Sequence, residues 1–185
     1  NRNNPLLEKY GPMEATNPCG EQPLYPFDAC NLGSVNLARF VKDQNSPSTP
    51  LGVASEEVNW ERLEEVVKIA VRMLDDVIDA CNYPLPQITE TVRQNRRIGL
   101  GVMGWADMLY QLGISYNSDE GIKLAEKVAK FIQEKSWEAS EELAKEKGVF
   151  PRWKNSSFFN KKKVRNLAIT TIAPTGSISM AADCS

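Results

Sequence analysis

The most reactive side chains of the sequence lie close together in the stretch Asn17–Leu37, which reads NPCGEQPLYPFDACNLGSVNL. Cys19 can act as a nucleophile, a redox thiol or a hydrogen-atom donor, and Glu21 can act as a general base. The amide of Asn17 can donate and accept hydrogen bonds, so it can position a hydroxyl group. The prolines and the glycine in this stretch disfavour a helix. In an extended loop alternate residues face one side, so these three side chains are expected to face one reactant.

A second thiol, Cys30, follows in the same stretch and precedes the residues NLGSVNL, which are typical of a half-buried strand. Two thiols near one loop are suited to two-electron redox chemistry. The alternative is that Cys19 and Cys30 are structural thiols, because free cysteine is among the most buried residue types.

Length and composition are those of one ordinary core: the chain has 185 residues, 42% hydrophobic content and a net charge of −2. This charge argues against a nucleic-acid partner. No apolar run is long enough to span a bilayer and no signal-peptide pattern opens the chain, so a soluble, cytoplasmic protein is expected.

The cysteines at positions 19, 30, 81 and 184 lie far apart without a CxxC motif, and histidine is absent. A zinc site needs three or four clustered ligands, so no metal site is predicted in this chain. Cys81 lies on the apolar face of a predicted helix and is expected to be an inert core thiol. The residues around Cys184 assign it no role.

Apolar residues at three- and four-residue spacing predict helices at about 60–82, 104–112 and 119–147. Asn59 and Ser118 are the expected N-caps of two of these helices, and Gly148 is the expected C-terminal glycine of the last. The polar segment 43–59, which contains two prolines, is predicted to be a surface loop.

The segment Ile98–Gly104 reads IGLGVMG and fits the GxGxxG spacing of a dinucleotide-binding loop. Such a loop follows a buried strand. The preceding residues, 91–97, are not a hydrophobic strand. Asp119 and Glu120 lie at the distance expected of the ribose-binding acid, but they more simply begin the next helix. The spacing therefore argues weakly for nucleotide binding.

Near the end of the chain, the β-branched run Leu167–Ile172 predicts a buried strand. The small residues after it can present backbone N–H groups and hydroxyls to an anion, best if the next residues begin a helix. The candidate anion-binding residues are Pro174, Thr175, Gly176, Ser177 and Ser179.

Three ordered segments of the sequence resemble ribonucleotide reductases: NPCGE followed by CNLGSVNL, then RRIGLGVMG, then APTGSIS. The first is most similar to the adenosylcobalamin-dependent class. The metal-cofactor class shares its N-x-C-x-E pattern but less often the proline and glycine within it. In this family the glycines of the second segment allow close backbone packing rather than holding a pyrophosphate.

The resemblance implies reduction of ribonucleotides, with ribonucleoside diphosphates as the expected substrates, to 2′-deoxyribonucleotides for DNA synthesis. Cys19 would form a thiyl radical that removes the 3′ hydrogen, Glu21 would accept the 3′ hydroxyl proton and Asn17 would hold the ribose hydroxyls. Cys30 would be one of two thiols that become a disulfide, with its partner upstream of this chain. The residues that would anchor the substrate phosphates are Pro174, Thr175, Gly176, Ser177 and Ser179.

The implied fold is α/β: a ten-stranded α/β barrel that carries the reactive cysteine on a finger loop, here 17–37, of which this chain is a mostly helical fragment. Residues 1–185 would form part of one catalytic barrel domain, with the strand and phosphate loop at 167–179. Both ends look cut, and residues 1–16 are expected to have no fold of their own.

The resemblance also implies adenosylcobalamin as radical source, with most contacts outside this chain, and a thioredoxin-type or glutaredoxin-type reductant. Nucleotide effectors would bind elsewhere in the longer protein, and a homodimer is an expected assembly. Three alternatives stay open: the large subunit of a metal-cofactor reductase, a non-radical thiol enzyme that uses Cys19 with Glu21, and a non-catalytic helical interaction domain. The isolated chain is expected to be inactive.

Overall fold

A computed structural model describes residues 1–42 and 58–185 of the chain. The predicted surface loop at 43–59 therefore lies almost wholly outside the described residues. The helices are α1 (Leu7–Tyr10), α2 (Trp60–Ala80), α3 (Pro86–Asn95), α4 (Trp105–Gln111), α5 (Asp119–Lys147) and α6 (Gly176–Ala181). The strands are β1 (Ala15–Thr16), β2 (Pro23–Leu24), β3 (Asn31–Asn36) and β4 (Ile98–Met103), and 3₁₀ turns lie at Leu37–Phe40 and Pro151–Asn155.

The two long helices α2 and α5 begin and end at residues that sequence rules identify. Asn59 accepts a hydrogen bond from the Arg62 N–H, and Ser118 accepts one from the Gly121 N–H, so both predicted N-caps are confirmed. Gly148 ends α5 with a positive φ of 84°. Cys81 follows α2 as its C-cap and is only partly buried, so it is not the core thiol that was predicted.

The strands form two small sheets. β1 and β2 pair antiparallel, and β3 and β4 pair parallel with Asn31 opposite Ile98 and Asn36 opposite Met103. The main core lies between β3, β4, α2 and α5, and includes Val35, Leu63, Ile98, Ile132 and Leu143. Helix is the main regular structure, and the parallel pair covered by helices is consistent with a fragment of an α/β barrel.

A second core shows that residues 1–16 are folded, contrary to the prediction. Leu6 is fully buried against Tyr25, Phe150, Trp153 and Leu167. The N-terminal segment is also held by a hydrogen bond from the Ser157 N–H to the Pro5 carbonyl. Residues 1–16 are mostly polar, so the sequence did not predict that they are folded. Their apolar contact is made by one leucine against an aromatic cluster that is distant in sequence.

The predicted strand at Leu167–Ile172 is wrong as regular structure, because only one bridge, Leu100 to Thr170, pairs this segment with β4. The N–H groups of Ile98 and Leu100, two residues apart on β4, bond to the carbonyls of Ala168 and Ile169, which are adjacent. The register slips by one residue between these bonds, so a regular ladder cannot continue. The segment is nevertheless buried at Leu167 and Ile169.

Within the described part of the chain, no helix combines the length and the apolar character that crossing a membrane requires.

Candidate active site

The predicted reactive residues lie on a β-hairpin rather than on an extended loop. β1 and β2 are joined by residues 17–22, in which the Gly20 N–H donates to the Asn17 carbonyl at 3.0 Å. Asn17 closes the hairpin further, because its Oδ1 accepts from the Gln22 N–H at 3.0 Å. The expectation of three alternating side chains on one extended face is therefore wrong. A turn forms instead, since Gly20 supplies the positive φ of 84° that it needs.

Cys19 and Glu21 occupy different environments in this hairpin. Cys19 is exposed at its tip. Glu21 is partly buried, and its Oε2 atom is buried without a hydrogen-bond partner among the described residues. A buried carboxylate oxygen without a donor is costly unless a ligand completes it. Glu21 is therefore the residue of the hairpin with unused hydrogen-bonding capacity inside the protein.

Cys30 lies immediately before β3 and against Gly99 of β4. An ideal Cβ at position 99 would lie 3.0 Å from the Cys30 Sγ and 3.0 Å from the Thr171 Cγ2. The thiol contacts the Asn31 carbonyl at 3.5 Å. Burial raises the pKa of Cys30 to about 12; the nearby Arg97 charge opposes this shift, and Asp28 and Glu21 add to it. At neutral pH this sulfur therefore stays protonated.

An ion pair is buried beside Cys30. The Nε of Arg97 lies 3.3 Å from Oδ2 of Asp28, and both side chains are almost wholly buried. Asn95 donates to the same carboxylate oxygen at 2.9 Å and accepts from Arg152 at 3.0 Å. Burial raises the pKa of Asp28, although its partners Arg97 and Asn95 act in the opposite direction. The sequence prediction missed this pair, because the residues are distant in sequence and match no short motif.

The hairpin, Cys30 and the C-terminal segment meet at Thr171. Its hydroxyl donates to the Glu21 carbonyl at 3.0 Å. The structure thus brings Glu21, Cys30 and the approach to the 174–179 turn together around Gly99 and Gly101 of β4. A Cβ at position 101 would lie 2.7 Å from the Thr171 carbonyl, so the expected close backbone packing is confirmed at Gly101, whereas Gly99 makes room for side chains. No hydrogen bond of the described residues joins the Cys19 thiol to this cluster.

The predicted phosphate-binding turn begins helix α6, the condition under which the sequence favoured an anion site. Thr175 precedes the helix in a left-handed conformation with φ 58°. The hydroxyls of Thr175 and Ser179 donate to the carbonyls of Pro174 and Gly176. The donors that remain are the Ser177 hydroxyl and the N–H groups of the first helical turn, which have no intrahelical partner.

A cleft of about 1300 Å³ has Glu21 and Arg97 in its wall, but Cys19, Cys30 and the 174–179 turn do not line it. Residues 1–9 and the connector near 154–161 supply most of this lining. Of the predicted site residues, Cys30 and Glu21 therefore meet beside β4, and Glu21 also lies in the wall of this cleft. The described residues contain no cluster of three or more His, Cys, Asp or Glu side chains that could hold a metal ion.

Comparison with known proteins supports the resemblance. The chain is 50% identical over 186 residues to a vitamin B12-dependent ribonucleoside-diphosphate reductase of Thermoplasma acidophilum, covering 100% of this chain and 23% of that protein. It is 48% identical over 182 residues to the protein of the same name from Mycobacterium tuberculosis, covering 98% of this chain and 24% of that protein. The chain thus spans about a quarter of the length of these relatives.

The fold agrees with a solved structure, the class Id ribonucleotide reductase alpha subunit of Actinobacillus ureae, with a TM-score of 0.73 and 25% identity. The match covers 96% of this chain and 32% of that subunit. Residues 1–164 match the family description "Ribonucleotide reductase, barrel domain". The chain therefore belongs to the ribonucleotide reductase family, within its barrel domain.

Proposed function

We propose that the longer protein to which this chain belongs reduces ribonucleoside diphosphates to 2′-deoxyribonucleoside diphosphates by a thiyl-radical mechanism. The observation that carries the proposal is 48–50% identity, over nearly the whole chain, to two proteins named as vitamin B12-dependent ribonucleoside-diphosphate reductases. The meeting of Glu21, Cys30 and Thr171, which precedes the 174–179 segment, beside β4 agrees with it. The ten-stranded barrel of the family is the setting we propose for this chain.

Cys19 is the residue proposed to react first. Its exposure at the hairpin tip suits approach by a large cofactor, and adenosylcobalamin supplies the unpaired electron that side chains cannot generate alone. The Cys19 sulfur radical removes the 3′ hydrogen atom of the ribose. Because S–H and activated C–H bonds are similar in strength, this transfer is reversible and Cys19 can recover its hydrogen at the end.

Glu21 and Asn17 are proposed to act on the ribose hydroxyls. The unpartnered Oε2 of Glu21 is free to accept the 3′ hydroxyl proton, which helps the 2′ hydroxyl to leave as water. Asn17 uses its Oδ1 to close the hairpin. Its Nδ2, which has no partner among the described residues, remains available to donate to a ribose hydroxyl.

Cys30 is proposed to be one of the two thiols that supply the electrons. Two thiols lose two electrons and two protons to become one disulfide, while the ribose exchanges its 2′ hydroxyl for hydrogen and releases water. The raised pKa of Cys30 suits this step, because a thiol that stays protonated carries the hydrogen to be donated. A thioredoxin-type or glutaredoxin-type dithiol would then reduce the disulfide, whose second cysteine we place outside this chain.

The phosphate end of the substrate is proposed to bind at Pro174, Thr175, Gly176, Ser177 and Ser179. The first turn of α6 offers N–H groups that favour an anion, and Ser177 adds an exposed hydroxyl. Because Thr171 lies just before this turn and bonds to the Glu21 carbonyl, the phosphate contacts and the general base belong to one connected structure.

The test is deoxyribonucleotide formation by the full-length protein, with and without adenosylcobalamin. We expect cobalamin-dependent product that is lost in Cys19→Ser and retained in the matched control Cys81→Ser, whose thiol lies at the end of α2. Product that needs a separate metal-containing subunit would move the protein to the metal-cofactor class. Substrate binding without product under either condition would favour a thiol enzyme or an interaction domain.

A further inference from the structure

Thr171 is held from three sides. Its N–H donates to the Leu100 carbonyl of β4 at 3.0 Å. Its methyl carbon lies 3.0 Å from the position of a Cβ on Gly99, next to the Cys30 sulfur. Its hydroxyl donates to the Glu21 carbonyl at 3.0 Å, across a separation of 150 residues. The backbone and hydroxyl thus connect this one residue to the central strand and the reactive hairpin, and its methyl and the candidate reducing thiol both lie over Gly99.

These contacts fix the direction of the hydroxyl. The β-branched threonine side chain has few χ1 rotamers, and a methyl seated over Gly99 leaves the hydroxyl directed at the hairpin. Glycine at position 99 leaves room for this arrangement, because a Cβ there would lie 3.0 Å from the Thr171 methyl carbon, which is closer than an ordinary contact. The two strands of the hairpin have only two residues each, so the bond from Thr171 adds a tertiary contact at the loop that joins them.

From this geometry we infer that Thr171 is a positioning residue for Glu21: its hydroxyl holds the backbone of the general base in the place from which the carboxylate reaches the substrate. The inference rests on the function proposed above. No described residue donates a hydrogen bond to the Glu21 Oε2 atom, so the carboxylate depends on its backbone for its position. Displacing a catalytic group by about 1 Å costs on the order of 100-fold in rate.

Thr171→Val in the full-length protein tests the inference, because valine keeps the shape and loses the donor. We expect kcat to fall on the order of 10- to 100-fold with KM within about 2-fold, since the phosphate contacts are unchanged. The deuterium isotope effect with substrate labelled at the 3′ carbon should rise, because the chemical steps then limit turnover. A purely structural loss of active enzyme would leave that isotope effect unchanged.

Two control variants accompany the test. Thr171→Ser keeps the donor and loses only the methyl, and should retain most of the wild-type kcat. Thr170→Val makes the same chemical change at the neighbouring residue, whose hydroxyl has no partner among the described residues, and should leave kcat and the isotope effect unchanged. If Thr171→Val fails to fold, Thr171→Ala, which removes both the hydroxyl and the γ-methyl, carries the same expected isotope effect.

The outcomes separate this inference from the proposed function. An active wild-type enzyme whose Thr171→Val variant keeps its kcat and isotope effect would overturn the inference alone. A lower kcat with an unchanged isotope effect, matched by an equal loss of folded protein, would also overturn it. A wild-type protein that forms no deoxyribonucleotide with either radical source would overturn the proposed function and the inference together.

Discussion

The sulfur of Cys30 lies against Gly99 so closely that a Cβ at position 99 would be 3.0 Å from it and 2.6 Å from the Leu32 side chain. Gly99 is a buried residue of β4. The parallel partner of β4 is β3, which begins directly after Cys30. The absence of a side chain at position 99 thus creates the space that the thiol occupies.

Gly99→Ala should destabilise the chain by about 1 kcal/mol, because the added methyl displaces the partly buried Cys30 and Thr171 side chains, whereas the exposed Leu32 side chain can move aside. The matched control is Gly33→Ala on β3, where the new Cβ would meet Leu74 only at 3.5–3.8 Å, an ordinary contact. This control should be neutral or slightly stabilising, since alanine loses less entropy than glycine. Denaturant unfolding of both variants measures the difference, and equal stabilities would contradict the assignment of Gly99 as a close-approach site.

Cys30 should resist alkylation at neutral pH, because burial raises the pKa of its thiol to about 12. Brief iodoacetamide treatment at a series of pH values from 7 upward, followed by mass spectrometry of peptides, measures the alkylation rate of Cys30 separately from those of the other cysteines. Arg97→Gln should move the Cys30 profile to higher pH, since the Arg97 charge favours the thiolate. Arg93→Gln, an exposed arginine of α3, is the control. Rapid labelling of Cys30 at pH 7 in folded protein would refute the prediction.

The same thiol should make stability depend on pH. Because the folded pKa of Cys30 lies above the ordinary value of 9.0, its contribution is complete below about pH 9 and is lost as the pH rises towards 12. In that window the unfolded chain releases the proton that the folded chain keeps. Between pH 8 and pH 11, the unfolding free energy of the wild type should fall more steeply than that of Cys30→Ser, whose hydroxyl does not titrate in this range.

A buried network around Asp75 of α2 should be essential for folding. Its carboxylate accepts from Arg96 Nε at 2.8 Å, from Asn166 Nδ2 at 2.8 Å and from Arg165 Nε at 3.2 Å. Asp75→Asn removes the buried counter-charge of Arg165 and Arg96, although Arg96 keeps its pair with the half-exposed Asp79, so the cost should be about 3 kcal/mol. Asp76→Asn is the matched control, because this neighbour pairs with Lys147 at the surface and should cost about 0–1 kcal/mol. Thermal or denaturant unfolding distinguishes the two.

Short sequence patterns correctly predicted the features that depend only on neighbouring residues, which are the long helices and their ends. The caps at Asn59, Ser118 and Gly148 follow from side-chain and glycine chemistry within one helical turn, and the long helices follow from apolar periodicity. Helix α3 was missed because its sequence is mostly polar, although Pro86 at its first turn is a valid start signal.

Relations between distant residues were beyond sequence reasoning. The Thr171–Glu21 bond and the Asp28–Arg97 pair depend on which segments β4 brings together, and no spacing rule encodes this. The hairpin was misread as extended because the Asn17 side chain, interpreted as a ligand for substrate, also accepts the Gln22 N–H that closes the turn. The roles of Asn17, Cys19, Glu21, Cys30 and the 174–179 turn stay predictions.

Asn17 offers a way to separate support of the hairpin from a role in the reaction. Asn17→Asp keeps an oxygen that accepts from the Gln22 N–H and loses the Nδ2 donor, whereas Asn17→Ala loses both. The alanine variant should therefore lose about 1 kcal/mol of stability, while the aspartate variant should stay within about 0.5 kcal/mol of wild type. If Nδ2 holds a ribose hydroxyl, both variants of the full-length protein should lose most of their kcat. An Asn17→Asp enzyme with wild-type turnover would restrict Asn17 to closing the hairpin.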